Sequence, residues 1–289
     1  MSQTSYIEEV LRRFNMEDCK PVATPSDANS KLLKLSDEEF GNVQMEMEGV
    51  LYKVAVGSLM YAMVGTRPDL AFAVSTVSQF MAKAGPSHWM AVKRILRYLK
   101  GSLELKLSLG GNDISLVGFC DADWAGDTND RRSTTGYVFL VGRGAISWKC
   151  KKQPTIALST TEAEYMATSQ CTKEAIWLRQ LLADVGYVQE GATSIICDNQ
   201  GCIQLAKNPM HHSRTKHIDI EHHFIREKLE TEEICLSYCP TEHMIADVLT
   251  KALAKDRHHS LSRAMGLEVF DNSQSGSVEG KALNGERKP

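Results

Sequence analysis

The chain has 289 residues, of which 43% are hydrophobic and 24% charged, and its net charge is −3. This composition is typical of a folded globular protein and excludes a disordered or collagen-like chain. Because no apolar run reaches the roughly 18 residues of a transmembrane helix and residues 1–12 lack an apolar signal stretch, we expect an intracellular protein, in a cytoplasmic particle or the nucleus, that binds no membrane.

The first 110 residues predict a mainly helical region. Apolar residues at helical spacing predict helices over residues 6–14, 47–63, 68–83 and 88–100. Pro68 suits the first turn of a helix, and glycines at positions 101, 110 and 111 mark a boundary. We therefore expect residues 1–110 to form a helical unit of their own.

Residues 112–255 alternate between strand and helix patterns. Strands are predicted over residues 115–121, 135–142, 145–150, 193–198 and 234–239. Helices are predicted over 160–185, 200–207 and 218–230, and a last helix is predicted to start within 241–253. This order favours the α/β class, with a mixed sheet and helices on its faces. Residues 256–289 are expected to hold the end of the last helix and, from Asp271, a disordered tail.

Four carboxylates lie at strand ends and helix starts, where an α/β sheet presents its functional groups. Asp121 and Asp198 end two predicted strands, Glu164 lies near the start of the long helix, and Asp247 lies in the predicted last helix. Any one of them alone is more commonly a turn or helix-cap residue. Gathered together, they would repel one another unless they shared a cation, and oxygen ligands suit Mg²⁺ or Mn²⁺. Two such ions can promote hydrolysis of a phosphodiester.

Several segments are similar to the ribonuclease H domain of copia-type retrotransposon Pol polyproteins. They are residues 119–127 (FCDADWAGD), 132–137 (RSTTGY), 157–165 (ALSTTEAEY), 198–200 (DNQ), 214–219 (RTKHID) and 240–251 (PTEHMIADVLTK). Upstream, residues 56–61 (VGSLMY), 66–69 (TRPD) and 88–101 (HWMAVKRILRYLKG) resemble the end of the reverse transcriptase of the same polyprotein. The resemblance covers about residues 1–268. It implies a ribonuclease H-like five-stranded mixed sheet in residues 112–255, preceded by a helical thumb or connection remnant.

The resemblance also assigns roles to the four acids. It implies that Asp121 bridges two Mg²⁺ ions, for which Mn²⁺ can substitute. Glu164 and Asp198 would hold the ion on the leaving-group side, and Asp247 the ion that activates the attacking water. The implied reaction cuts the RNA strand of an RNA–DNA hybrid.

Two neighbouring acids compete for these roles. Glu162 lies two residues before Glu164 and so points to a different side of the helix, and it forms a capping box with Ser159. We therefore choose Glu164. Asp123 has the strand parity of Asp121, and we expect it to be a turn residue or a neighbour of the ligands.

Basic and small polar residues near the acids are candidates for substrate contact, although each basic residue alone is more commonly a solvated charge. Ser159 and Thr160 at a helix start suit phosphate, and Asn199 and Gln200 suit the minor groove. The full candidate set is Arg131, Arg132, Lys151, Lys152, Ser159, Thr160, Asn199, Gln200, Arg214 and Lys216.

The polymerase hallmark of the family, an aromatic-x-Asp-Asp turn, is absent, because no two aspartates are consecutive in the chain. We therefore expect a ribonuclease H that cannot polymerise DNA and that has an RNA–DNA hybrid, the missing polymerase portion or other Pol and Gag products as partners. The main alternative is a decayed or recruited Pol fragment that folds and binds nucleic acid without cleaving it. An integrase or exonuclease of the same broad fold fits the four acids less well.

Overall fold

The structure is a computed structural model and describes residues 1–207 and 219–269. The amino-terminal region is helical, as predicted. Its helices are α1 (Thr4–Arg13), α2 (Asp37–Val43), α3 (Tyr52–Gly65), α4 (Ala71–Ser78) and α5 (Pro86–Lys100). Apolar side chains from α1, α3, α4 and α5 form one buried cluster, which is the core of this region.

Two details of this region differ from the sequence prediction. Helix α2 was not predicted because it buries no residue and so has no apolar spacing; a capping box between Ser36 and Glu39 starts it. The segment predicted as one helix over residues 68–83 is a short 3-10 turn, Pro68–Leu70, followed by α4, which ends at Ser78.

The second region contains a five-stranded mixed sheet. Its strands are β2 (Leu116–Asp123), β3 (Thr134–Val141), β4 (Gly144–Lys152), β5 (Thr193–Cys197) and β6 (Ile234–Tyr238), in the spatial order β4-β3-β2-β5-β6. Neighbours are antiparallel from β4 to β2 and parallel from β2 to β6. The predicted fold class, a mixed sheet flanked by helices and preceded by a helical region, is confirmed.

Alternating side chains of the sheet face two different layers. Tyr137 and Phe139 pack in a core with helix α6 (Thr160–Asp184), helix α7 (Gln200–Lys207) and helix α8 (Asp219–Glu230). Val138 and Leu140 face the other side, in a cluster that includes Ala71 of α4 and Leu261 of helix α9 (Lys255–Ala264). Both faces of the sheet are therefore covered. None of the helices in the described ranges has both the length and the apolar character needed to cross a membrane.

The prediction of a last helix starting within residues 241–253 is wrong. Two 3-10 turns, Thr241–His243 and Ile245–Leu249, occupy this segment, and extended backbone at Met244 separates them. The second turn lies directly on β3 at Gly136, where an added Cβ would come within 2.6 Å of the Thr250 side chain. A residue larger than glycine would keep the turn, which carries Asp247, away from the sheet.

The carboxyl-terminal part of the described chain returns to the helical region. Residues 256–269, expected to hold only a helix end and the start of a tail, contain most of α9 and a strand, β7 (Leu267–Val269). Strand β7 pairs with β1 (Leu105–Leu107) in a separate two-stranded sheet. His258 of α9 is buried and its ring nitrogen lies 3.4 Å from the carbonyl oxygen of Asp69. The predicted tail from Asp271 lies outside the described residues.

Candidate active site

The four predicted acids come from four different elements around one end of the sheet. Asp121 lies on β2, Asp198 directly follows β5, Glu164 lies on the second turn of α6, and Asp247 lies in the 3-10 turn Ile245–Leu249. Since β2 and β5 are parallel, their carboxyl ends lie side by side, and their last paired residues, Phe119 and Ile196, each precede one of the acids by two positions.

Asp121 and Asp247 share a lysine. The Lys251 ammonium donates to Asp121 Oδ1 at 3.2 Å and to Asp247 Oδ1 at 2.8 Å. The Thr250 hydroxyl donates to the other oxygen of Asp121, and the Arg257 guanidinium to the other oxygen of Asp247. The side chains of these two acids are only 1% and 3% exposed. Fixed cationic and hydroxyl donors thus hold both carboxylates in place.

Glu164 and Asp198 form the other half of the cluster. The backbone N–H of Ala122 donates to Glu164 Oε1 at 3.2 Å, and the Thr241 hydroxyl donates to Asp198 Oδ2 at 2.7 Å. The thiol of Cys197 contacts Glu164, with its Sγ 3.9 Å from Glu164 Oε2. Ligand atoms of Glu164, Cys197 and Asp198 all lie within 4.8 Å of one another.

Two of the buried acids, Asp121 and Glu164, have raised pKa values. Burial, with the negative charges of Asp247 and Asp198, raises the pKa of Asp121 to about 7, although Lys251 opposes this. Burial and the charge of Asp121 raise the pKa of Glu164 to about 10. Burial is the larger cause of both shifts, and the neighbouring carboxylates add to it. The oxygen donors and this charge fit a hard divalent cation, and Lys251 supplies only part of the positive charge that the cluster could accept.

The two competing acids have other contacts. The Glu162 carboxylate accepts the backbone N–H of Leu158, while Ser159 caps the helix by accepting the N–H of Glu162. Ser159 therefore caps the helix as predicted. The Glu162 carboxylate accepts the N–H of Leu158, one residue before the N-cap residue whose N–H it would accept in a standard capping box. The carboxylate of Asp123 folds over Gly126 in a tight turn. Burial raises the pKa of Asp123, with an opposing effect from Lys251, so it lies near the cluster.

The candidate substrate-contact residues fall into three groups. Arg131, Arg132 and Lys151 are exposed, as are Ser159, Thr160 and Gln200. Lys152 is paired with Asp127 and Asp130, and Asn199 caps α7 by accepting the N–H of Cys202 at 2.8 Å, so both have structural roles. Arg214 and Lys216 lie outside the described residues.

The sequence reasoning did not identify Lys251, Thr250, Arg257 or Thr241 as parts of this site. Only one of their contacts leaves a local signal: Lys251 lies four residues after Asp247, a spacing at which opposite charges can pair. Its contact with Asp121 joins residues 130 positions apart, and no spacing rule predicts it.

Comparisons with known proteins place the chain among transposon polyproteins, although no protein-family model matches it. The chain is 47% identical over 271 residues to the retrovirus-related Pol polyprotein from transposon TNT 1-94 of Nicotiana tabacum, covering 92% of this chain and 20% of the relative. It is 40% identical over 268 residues to the retrovirus-related Pol polyprotein from transposon RE2 of Arabidopsis thaliana, covering 92% of this chain and 18% of the relative. The chain thus spans about a fifth of the length of these relatives.

Two further similarities cover less of the chain. The secreted RxLR effector protein 161 of Plasmopara viticola is 53% identical over 133 residues, which are 46% of this chain and 94% of the effector. Among solved structures, LC11-RNase H1, isolated from compost by a metagenomic approach, matches 47% of this chain and 93% of its own, with a TM-score of 0.38 and 15% identity.

Proposed function

The chain belongs to the family of retrovirus-related Pol polyproteins of copia-type transposons, and from this premise we propose that it is a ribonuclease H that hydrolyses the RNA strand of RNA–DNA hybrids. The supporting observation is the cluster of Asp121, Glu164, Asp198 and Asp247, drawn from four elements to one end of the sheet. Burying two acids with raised pKa values beside two others costs folding free energy, and groups perturbed in this way are concentrated at functional sites.

The proposed cofactor is a pair of Mg²⁺ ions, for which Mn²⁺ can substitute. Asp121 would contact both ions, Glu164 and Asp198 the ion on the leaving-group side, and Asp247 the ion on the water side. When bound, the ions supply a more acidic water and positive charge for the leaving oxygen. The protein contributes prearranged ligands, because each carboxylate already accepts a hydrogen bond from a fixed donor.

The proposed substrate surface lies beside the cluster. Exposed Ser159 and Thr160 at the start of α6, with Arg131, Arg132 and Lys151 nearby on β4 and the loop before β3, would contact phosphates of the hybrid. Gln200, which is exposed, would reach the minor groove. Asn199 is less available for such a contact, because its side chain caps α7 by accepting the N–H of Cys202. The polymerase portion and other Pol or Gag products are the proposed protein partners.

The test is cleavage of a hybrid with labelled RNA in Mg²⁺ by the purified full chain and by Asp198→Asn. We expect wild type to cleave and Asp198→Asn to be at least about 100-fold slower, the upper end of the loss caused by removing a group that supports a metal ligand. The matched control is Asp184→Asn, which changes an exposed aspartate at the other end of α6 from Glu164 and should cleave like wild type.

Two results would contradict the proposal. Folded wild-type protein that binds hybrid without cleaving it would favour the alternative, a decayed or recruited Pol fragment that binds nucleic acid. The ion pairs of Lys251 and Arg257 are the observation that favours this alternative, since they compensate part of the acidic charge without a metal. Equal cleavage by wild type and Asp198→Asn would contradict the site assignment.

A further inference from the structure

A cysteine lies inside the carboxylate cluster. Cys197 is the last residue of β5, and its Sγ contacts the Glu164 carboxylate at 3.9 Å, next to Asp198 in the chain. The sulfur also accepts the backbone N–H of Asn199 at 3.4 Å, so its lone pairs are held toward the start of α7. Cys197 is fully buried and Glu164 nearly so, whereas Asp198 is partly exposed and gives access from solvent.

The donor set of this half of the cluster differs from that of the other half. Asp121 and Asp247 offer oxygen alone and are paired with Lys251. Glu164 and Asp198 have no ion-pair partner among the residues that the structure describes, and a sulfur ligand, Cys197 Sγ, lies within 4.8 Å of an oxygen of each. Oxygen donors suit Mg²⁺, but a thiolate beside carboxylates suits a softer ion such as Zn²⁺, which takes sulfur and oxygen ligands in one tetrahedral site.

We propose that Glu164, Cys197 and Asp198 form a binding site for Zn²⁺-class divalent ions, which compete with Mg²⁺ at the leaving-group side of the active site. Binding forms a metal–sulfur bond and releases the thiol proton to solvent. Water or a substrate oxygen completes the coordination. The binding site itself does not depend on the proposed function, but its assignment to the leaving-group side and the consequence, that Zn²⁺ inhibits cleavage, rest on that proposal.

The dimensions of the cluster suit such an ion. In a tetrahedral site with metal–ligand bonds of about 2.0–2.3 Å, neighbouring ligand atoms lie roughly 3.5 Å apart. The present separations, 3.9 Å from sulfur to Glu164 and at most 4.8 Å within the set, require the ligands to close by only about 1 Å. Asp198 is partly exposed, and moving it toward the ion would shift the hydrogen bond that it accepts from Thr241.

The experiment uses Co²⁺, a spectroscopic substitute for Zn²⁺, with the full chain and no substrate. Wild type should show a sulfur-to-cobalt charge-transfer band in the near ultraviolet, and Zn²⁺ should abolish it. Cys197→Ser should lose the band and bind Zn²⁺ at least tenfold more weakly in competition with a chelating dye. The matched control, Cys235→Ser, changes a cysteine on the neighbouring strand and should retain the band.

A second variant keeps the test independent of how Cys197→Ser folds. Glu164→Gln retains the thiol, so it should show the same band at saturating Co²⁺ but require a higher concentration to reach it. A band of full intensity in folded Cys197→Ser, or its loss in Cys235→Ser instead, would overturn the proposal. Absence of hybrid cleavage with an intact cobalt band would contradict the proposed function and leave this site standing.

Discussion

Lys251 provides a direct test of how the acidic cluster is compensated. Its ammonium bridges Asp121 and Asp247, whose side chains are almost fully buried, while the lysine side chain is 32% exposed. Replacing it with methionine keeps most of the aliphatic stem and removes the charge. We therefore expect Lys251→Met to lower the free energy of unfolding in the absence of divalent ions.

The size of this effect follows from the contacts. Removing one partner of a buried ion pair costs about 3–5 kcal/mol. Lys251 is partly solvated, and Asp247 keeps its pair with Arg257, so we expect about 2–3 kcal/mol, somewhat below that range. Mg²⁺ at 100 times its Kd adds about 2.7 kcal/mol to a protein that binds it only when folded. The variant should gain more from Mg²⁺ than wild type, because in wild type the ion competes with the ammonium group.

The assay is urea unfolding with EDTA and with Mg²⁺, followed by circular dichroism. Lys53→Met, a change of an exposed lysine on α3, serves as the control and should change stability by less than about 0.5 kcal/mol. If Lys251→Met unfolded like wild type in EDTA, or if Mg²⁺ stabilised both proteins equally, the ammonium would not be the internal counter-ion of the cluster.

Two further predictions concern neighbouring acids and the buried ion pair of the helical region. Glu164→Gln should slow hybrid cleavage at least about 100-fold. Glu162→Gln should mainly lower the free energy of unfolding, by about 1 kcal/mol, because the Glu162 carboxylate accepts the Leu158 N–H. Comparable cleavage by the two variants would contradict the choice of Glu164. Arg67→Met should destabilise the protein by about 3–5 kcal/mol, because it leaves the Asp69 carboxylate, whose side chain is 0% exposed, with the Tyr98 hydroxyl but without its ion-pair partner. Burial raises the pKa of Asp69, and Arg67, with smaller effects from His258 and Tyr98, reverses this so that the pKa is lowered. Without Arg67, the Asp69 carboxyl therefore binds its proton more tightly in the folded than in the unfolded state. The stability lost in Arg67→Met should then become smaller as pH falls from 7 to 4, measured as the free energy of unfolding at each pH. A loss of stability that is independent of pH would refute this.

The sequence predicted the elements whose signals are local. Alternating apolar residues with turn residues between them marked the five strands of the sheet, and Ser159 with Glu162 marked the start of α6. The same patterns predicted Asp121 and Asp198 at strand ends; Asp198 directly follows β5, whereas β2 continues two residues beyond Asp121. The parallel pairing of those two strands, which brings the acids to one edge of the sheet, was not predicted and comes from the structure.

Only the tertiary structure decided how the cluster is compensated and where its last member lies. Asp247 is on a 3-10 turn and not a helix, because Gly136 lets that turn lie directly on the sheet and because Met244 is extended. Lys251 meets Asp121, and the thiol of Cys197 meets Glu164, through contacts between residues far apart in the chain. Local sequence determines which backbone conformation a segment favours, but charge compensation depends on which side chains the packing of different elements brings within a few ångströms.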